Sequence, residues 1–190
     1  MKAIVCKSFG PPESLVMDEV PSRPPGKSEV RIAVKAAGVN FPDTLIIQGK
    51  YQLKAEPPFT PGGEIAGIVI EAGEKVKHVR PGDAVAALIP TGGYAEEAVA
   101  MGDAVIPLPR GMSMNDAAGF PFTYGTSLHA LKQRANLKAG ETLLVLGAAG
   151  GVGLAALQIG KLMGARVIAA AGSDEKVAFC KAQGADDVVN

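Results

Sequence analysis

The sequence predicts two units: a β-rich unit over residues 1–120, then an α/β unit with a parallel sheet, ordered β-α-β-α-β, over 121–190. Two observations predict this. Up to about residue 110, Gly and Pro interrupt the chain every few residues, and the runs between them are short and rich in β-branched residues. From Thr142 the pattern changes to apolar run, small-residue turn and longer apolar stretch, followed by a second apolar run.

In the first unit, strands are expected at 3–6, 30–36, 64–71, 84–88 and 95–99. Turns are expected at Gly10-Pro11-Pro12, Arg80-Pro81-Gly82-Asp83 and Thr91-Gly92-Gly93, where Gly supplies unusual backbone angles and Pro fixes one. One short helix is expected at 43–48. A short helix starts around Asp116-Ala117-Ala118, and a longer one spans 121–135 with Leu128 and Leu131 on one side. The boundary between the units is expected between Pro109 and Thr126.

In the second unit, Thr142-Leu143-Leu144-Val145-Leu146 reads as a buried parallel strand, and 154–163 as a helix packed on most of its surface. The turn between them, Gly147 to Gly153, has almost no side chains. Glycine lets a ligand approach the main-chain N–H groups, and a helix N-terminus adds unpaired donors and partial positive charge. Ala148, Gly150 and Gly153 form an A-x-G-x-x-G fingerprint, flanked by strand and helix as a dinucleotide site requires. Ala148, Gly150, Gly151, Val152 and Gly153 are therefore candidates to hold a pyrophosphate. The alternative is a tight β–α connection without a ligand.

The second strand, 165–171, ends in Ala171-Gly172-Ser173. No acid stands there to take a ribose 2′-OH or to repel a 2′-phosphate. Gly172 and Ser173 offer donors and Lys176 a positive charge, which favours NADPH over NADH. Ser173 can equally N-cap the next helix, 174–183, with Asp174 and Glu175 in its first turn. Gly184 suits a left-handed C-cap, and 187–190 begins a third strand, giving the order 3-2-1. The 143–146 strand would then be a bare apolar edge, so the chain is expected to be part of a longer polypeptide, the alternative being a partner chain that covers it.

Composition is that of an ordinary globular protein: 190 residues, 47% hydrophobic, 20% charged, zero net charge. Neutral balance and the lack of Lys/Arg runs argue against nucleic acid, and no apolar run reaches membrane-spanning length. Cys6 and Cys180 lie far apart and suggest neither a disulfide framework nor a metal cluster, which suits a reduced, cytoplasmic setting.

The whole chain resembles the medium-chain dehydrogenase/reductases, in their zinc-independent quinone oxidoreductase branch related to ζ-crystallin. The residues that carry the resemblance are Ala37-Gly38-Val39-Asn40 with Asp43, Pro61-Gly62-Gly63-Glu64-Ile65-Ala66-Gly67, Val79-Arg80-Pro81-Gly82-Asp83-Ala84-Val85, Ala148-Ala149-Gly150-Gly151-Val152-Gly153 and Gly172-Ser173-Asp174-Glu175-Lys176. The resemblance implies a GroES-like domain followed by a partial Rossmann domain, with further strands beyond Asn190 and a homodimer at full length. Zinc-dependent relatives carry Cys where this chain has Asn40 and His where it has Gly63. Glu64 alone cannot hold a metal, and His78 and His129 are isolated. No metal site is therefore expected.

What remains is hydride transfer from NADPH to a small-molecule quinone or an activated enone, where a hydrogen-bond donor stabilises the developing oxyanion. The resemblance places Asn40 and Tyr51 at that site and Thr126 near the nicotinamide amide. Each has a plainer reading: a turn residue, a half-buried loop aromatic and an ordinary helix residue. Phe41, Ile46, Tyr51 and Leu53 would shape the pocket. Alternatives of function are an enoyl-thioester reductase, and an NADPH-binding crystallin-like or regulatory protein without turnover.

Overall fold

A computed structural model describes residues 1–190, which separate into two units, Met1–Pro121 and Phe122–Asn190. The first contains the hairpin β1 (Lys2–Val5) and β2 (Val16–Glu19), strand β3 (Glu29–Gly38), helix α1 (Phe41–Ile46), strands β4 (Glu64–Ala72), β5 (Ala84–Leu88), β6 (Glu97–Met101) and β7 (Val105–Pro107), and helix α2 (Met114–Ala118). Strands β3 to β7 form one antiparallel sheet in the order β6-β3-β4-β5-β7.

The inward side chains of the central strands build the core. Val30 and Ile32 of β3, Ile65 and Val69 of β4, Val85 of β5 and Ala98 and Ala100 of β6 are all buried together. On the other side, Ala117 and Ala118 of α2 pack on Ala66 and Ala86. The β3–β4 register slips at Arg31/Ile32 and again between Val34 and Ala36. Gly67 sits beside that second slip. A Cβ there would lie 2.1 Å from the Ala33 carbonyl oxygen, so the close strand approach requires glycine.

Two strands were not expected. All four side chains of β2 are exposed, so it has no alternation to read. β7 is three residues long and ends in Pro107, which an edge strand tolerates. β6 begins at Glu97 rather than 95; Ala95 instead makes an isolated bridge to Ala3. Helix α1 begins two residues before the expected 43, because the Asp43 carboxylate accepts from the Asn40 N–H at 2.8 Å and anchors the first turn there.

The second unit runs α3 (Pro121–Leu128), β8 (Thr142–Leu146), α4 (Gly151–Leu162), β9 (Arg166–Ala170), α5 (Asp174–Ala182) and β10 (Asp187–Val189), with a parallel sheet in the order β10-β9-β8. This is the predicted β-α-β-α-β half. Its core is Val145, Ala148, Leu157, Val167, Ala169, Cys180 and Ala185. Helix α4 lies close on the sheet at Gly160, where a Cβ would come within 2.7 Å of Leu143 Cδ2. Asp186 closes the unit, accepting from Lys161 Nζ at 2.6 Å and from the Val167 N–H at 2.6 Å. Gly184 takes φ +102°, as a left-handed cap requires.

Three expectations for this unit are corrected. β8 is buried on one face only: Val145 lies in the core, whereas Leu144 and Leu146 alternate onto the opposite face and are 56% and 75% exposed. α4 starts at Gly151, not 154; from Leu154 on it is buried or half-buried over most of its surface, as expected, with Leu162 the exception at 87% exposed. The 121–135 helix is α-helical only to Leu128 and continues as a π-helix, His129–Arg134, closed by the Ala135 N–H on the Ala130 carbonyl. The wider turn shifts the helical phase, so Leu131 is buried while Leu128 is 45% exposed, and they do not share a side.

Leu157 is fully buried between helix and sheet. Leu157→Ala is expected to destabilise this unit by about 2–5 kcal/mol in urea unfolding. Leu162→Ala, at an exposed position, should stay within about 0.5 kcal/mol of the unmodified chain.

Candidate functional site

Each unit carries its own set of candidate residues. In the second unit, β8 ends at Leu146 and the chain turns through Gly147, at φ +61°. The Gly150 N–H donates to the Gly147 carbonyl at 2.9 Å, and α4 begins at once. Its first intrahelical bond is Leu154 N–H to the Gly150 carbonyl, 2.7 Å. The N–H groups of Gly151, Val152 and Gly153 precede that bond and have no helical acceptor, and Gly150 at the N-cap supplies no side chain to cap them. They form an open set of donors at the positive end of the helix.

The glycines of the turn differ in what they do. A Cβ on Gly153 would lie 2.4 Å from the Gly147 carbonyl oxygen, so Gly153 is needed for the turn to close. A Cβ on Gly150 would meet nothing nearer than that same oxygen at 3.4 Å. The fold itself has room for a side chain at Gly150, so its bareness serves approach from outside. Ala148 is buried and donates to the Ala170 carbonyl, 3.0 Å, tying the turn to β9. Ser127, which the sequence reading did not single out, is 2% exposed and donates its hydroxyl to the Val152 carbonyl at 2.8 Å. These features fit a dinucleotide pyrophosphate.

At the end of β9, Gly172 is exposed and a Cβ there would meet nothing within 4 Å. Ser173 Oγ accepts from the Lys176 N–H at 3.4 Å, so it does cap α5. Its hydroxyl proton stays free to donate. Lys176 is exposed and in none of the salt bridges, and Asp174 is held by Asn190 Nδ2 at 2.7 Å. Thr126 is exposed and its hydroxyl donates to the Phe122 carbonyl, 2.5 Å, one helical turn back.

In the first unit the structure gathers a buried polar cluster around Asn40. Asn40 Nδ2 donates to Glu64 Oε1 at 2.8 Å, and the Asn40 N–H donates to Asp43 Oδ2 at 2.8 Å. Tyr94 donates its hydroxyl to the same Asp43 oxygen at 2.9 Å and also approaches the Gly38 carbonyl, 3.3 Å. Glu64 and Asp43 are 1% and 5% exposed. Burial, with the charges of Asp43 and Glu64 nearby, pushes the Tyr94 phenol well above the ordinary tyrosine range. Tyr51 is half-buried in the bend after α1 and shares no hydrogen bond with Asn40. Tyr94 was missed by sequence reading. Its one local signal is Gly62, at φ +102°, where a Cβ would press within 2.6 Å of the Tyr94 ring.

No group of three or more His, Cys, Asp or Glu side chains is arranged to hold a metal ion. His78 Nε2 lies 3.1 Å from the Val105 carbonyl and His129 Nδ1 2.5 Å from Gln133 Oε1.

Comparison with known proteins gives the chain its family. Residues 26–110 match the family model described as alcohol dehydrogenase GroES-like domain, and residues 151–190 the one described as zinc-binding dehydrogenase. All 190 residues align at 42% identity with quinone oxidoreductase-like protein 2 of Bos taurus, over 54% of that protein. The chain belongs to the medium-chain dehydrogenase/reductases. The curated relatives it matches include the quinone oxidoreductases of Mus musculus and Sus scrofa, each 40% identical over 58% of that protein. Among solved structures, a probable oxidoreductase from Mycobacterium abscessus is 46% identical with a TM-score of 0.91, matching 99% of this chain and 60% of its own. The quinone oxidoreductase of Escherichia coli, solved in complex with NADPH, is 34% identical with a TM-score of 0.90, matching all of this chain and 58% of its own. The chain thus spans about half the length of the curated relatives it matches.

Tyr94→Phe removes the hydroxyl that Asp43 accepts in a buried setting, and is expected to cost about 1–3 kcal/mol in urea unfolding. The alkaline behaviour follows from the same contact. A phenol whose folded pKa is raised adds stability below its unfolded pKa, about 10, and that stability is lost as pH rises beyond it. Unfolding followed from pH 8 to 11 should show the unmodified chain weakening above about pH 10. The Tyr94→Phe variant should weaken less over the same range.

Proposed function

We propose that this chain carries the cofactor turn and the acceptor-side residues of an NADPH-dependent oxidoreductase that reduces a quinone or an activated enone without zinc. The observation that carries the reading is the start of α4, where three main-chain N–H groups stand open behind a Gly150 whose side chain the fold would have accommodated. The NADPH complex of the E. coli relative supports the same cofactor class.

When bound, NADPH supplies the hydride. The chain's own residues have four tasks. Gly151, Val152 and Gly153 present their N–H groups to the pyrophosphate. Gly172 leaves space, while the Ser173 hydroxyl and Lys176 offer a donor and a positive charge to a ribose 2′-phosphate. Thr126, its proton already given to Phe122, keeps lone pairs that accept from the cofactor's carboxamide. On the acceptor side, Asn40 retains one N–H after its bond to Glu64, and the Tyr51 phenol supplies another donor. A donor placed at a developing oxyanion is worth about 3 kcal/mol of barrier.

Residue chemistry supports the zinc-independent reading. Gly63 offers no ligand, and the Asn40 amide nitrogen is committed to Glu64. A conjugated acceptor needs less Lewis-acid help than an alcohol does. Both cysteines are free and buried, which suits the reducing cytoplasm.

Fluorescence titration tests the reading. NADPH should bind more tightly than NADH, and Lys176→Ala should narrow the difference. Gly150→Asp places a carboxylate before the open N–H groups and should weaken NADPH binding at least about tenfold, or 1.4 kcal/mol. Unchanged affinity in Gly150→Asp would overturn the phosphate-cradle argument.

A further inference from the structure

We propose that Glu64 is a positioning residue that fixes the Asn40 amide in one orientation, leaving a single N–H available for the oxygen of the acceptor. The proposal rests on the functional reading above for what that N–H does, but not for how it is held.

Three observations carry it. First, the contact settles which end of the amide faces inward. A carboxylate oxygen accepts, so the group 2.8 Å from Glu64 Oε1 is Nδ2 and not Oδ1. One of the two amide protons is then spent. The second proton and Oδ1 take up fixed directions, because the carboxamide is planar. Second, Glu64 cannot swing away. It is 1% exposed and lies against Gly38, where a Cβ would come 2.4 Å from Oε1 and 2.7 Å from Cγ. The absence of a side chain at Gly38 makes the room the carboxyl occupies. Third, the backbone of Asn40 is pinned independently. Its N–H donates to Asp43 Oδ2, and that carboxylate accepts in turn from Tyr94.

Asn40 is thus held by its main chain from α1 and by its side chain from β4, while staying half-buried and reachable. That is more restraint than a turn residue needs. A turn asparagine would spend its amide on neighbouring backbone; this one reaches a carboxylate 24 residues away. Donors fixed in advance lose no reorganisation when charge develops, which is what a transition-state donor requires.

Two measurements test this. Nuclear magnetic resonance of the 190-residue chain, which needs neither cofactor nor turnover, reads the Asn40 side-chain amide. One of its two protons should be shifted by the carboxylate and protected from solvent exchange, and Glu64→Ala should abolish both effects. Two equivalent, rapidly exchanging protons in the unmodified chain would overturn the proposal, and this readout stands whether or not Glu64→Ala folds. The second measurement is NADPH oxidation by a quinone. Glu64→Ala should lower kcat on the order of 10- to 100-fold with KM little changed. Glu64→Gln, which keeps an accepting oxygen at the same reach, should recover most of the rate. A kcat for Glu64→Ala equal to that of the unmodified protein, while Asn40→Ala loses activity, would show that Asn40 acts without Glu64 and would overturn the proposal. NADPH affinity, read in the same samples, depends on the α4 turn of the other unit, so its loss would count against the functional reading alone.

Discussion

A helix begins with N–H groups that its own geometry leaves without partners, and the chain's handling of that constraint separates scaffold from site. At α2, Ser113 accepts from the Asp116 N–H, and at α5, Ser173 accepts from the Lys176 N–H. At α1, Asp43 reaches back to the Asn40 N–H. By contrast, α4 begins with a residue that has nothing to give, Gly150, although the space for a side chain exists. A Ser or Asp in place of Gly150 would have made α4 more stable by only about a few tenths of a kcal/mol, so an open start costs the fold little. Left open, the three N–H groups stay available to the anion that the proposed function would place there.

The first unit answers the opposite problem, how to bury charge-bearing groups. Glycines make the room. Gly38 admits the Glu64 carboxyl and Gly62 admits the Tyr94 ring. The polar groups so admitted then satisfy one another, through Asn40, Asp43 and Tyr94, rather than being left unpartnered in the sheet. The glycine-rich segments in this unit are therefore packing features as much as turn signals. Their side-chain-free positions are what the neighbouring acids and phenol occupy.

How much of this could be read in advance depended on the distance along the chain over which each feature is made. The 3-2-1 sheet order, the Gly147–Gly153 turn and the Gly184 cap are local, and period, composition and glycine placement revealed them. β2 and β7 escaped because neither displays alternating burial, one being wholly exposed and the other only three residues long. The π-helix at His129–Arg134 escaped because an i→i+5 bond leaves no mark on apolar spacing except the one it spoils, between Leu128 and Leu131. At the site, Asn40 was legible as a residue type, but its partners were not. Glu64 and Tyr94 join the cluster across 24 and 51 positions, and only the folded sheet brings them there. Thr126 and Ser127 show the limit at its sharpest. They are adjacent, yet the exposed Thr126 bonds its own helix while the buried Ser127 reaches Val152.

The two cysteines give the molecule a built-in pair of reporters. Cys6 lies in the first unit and Cys180 in the core of the second, each fully shielded from solvent. Burial also raises the Cys6 thiol, so little of it is in the reactive thiolate form while the unit is closed. A thiol reagent in native buffer therefore meets one sulfur for each unit, and only when that unit opens. The modification rates at the two positions give two separate opening free energies from one sample, and so tell whether the halves of the chain breathe together or apart.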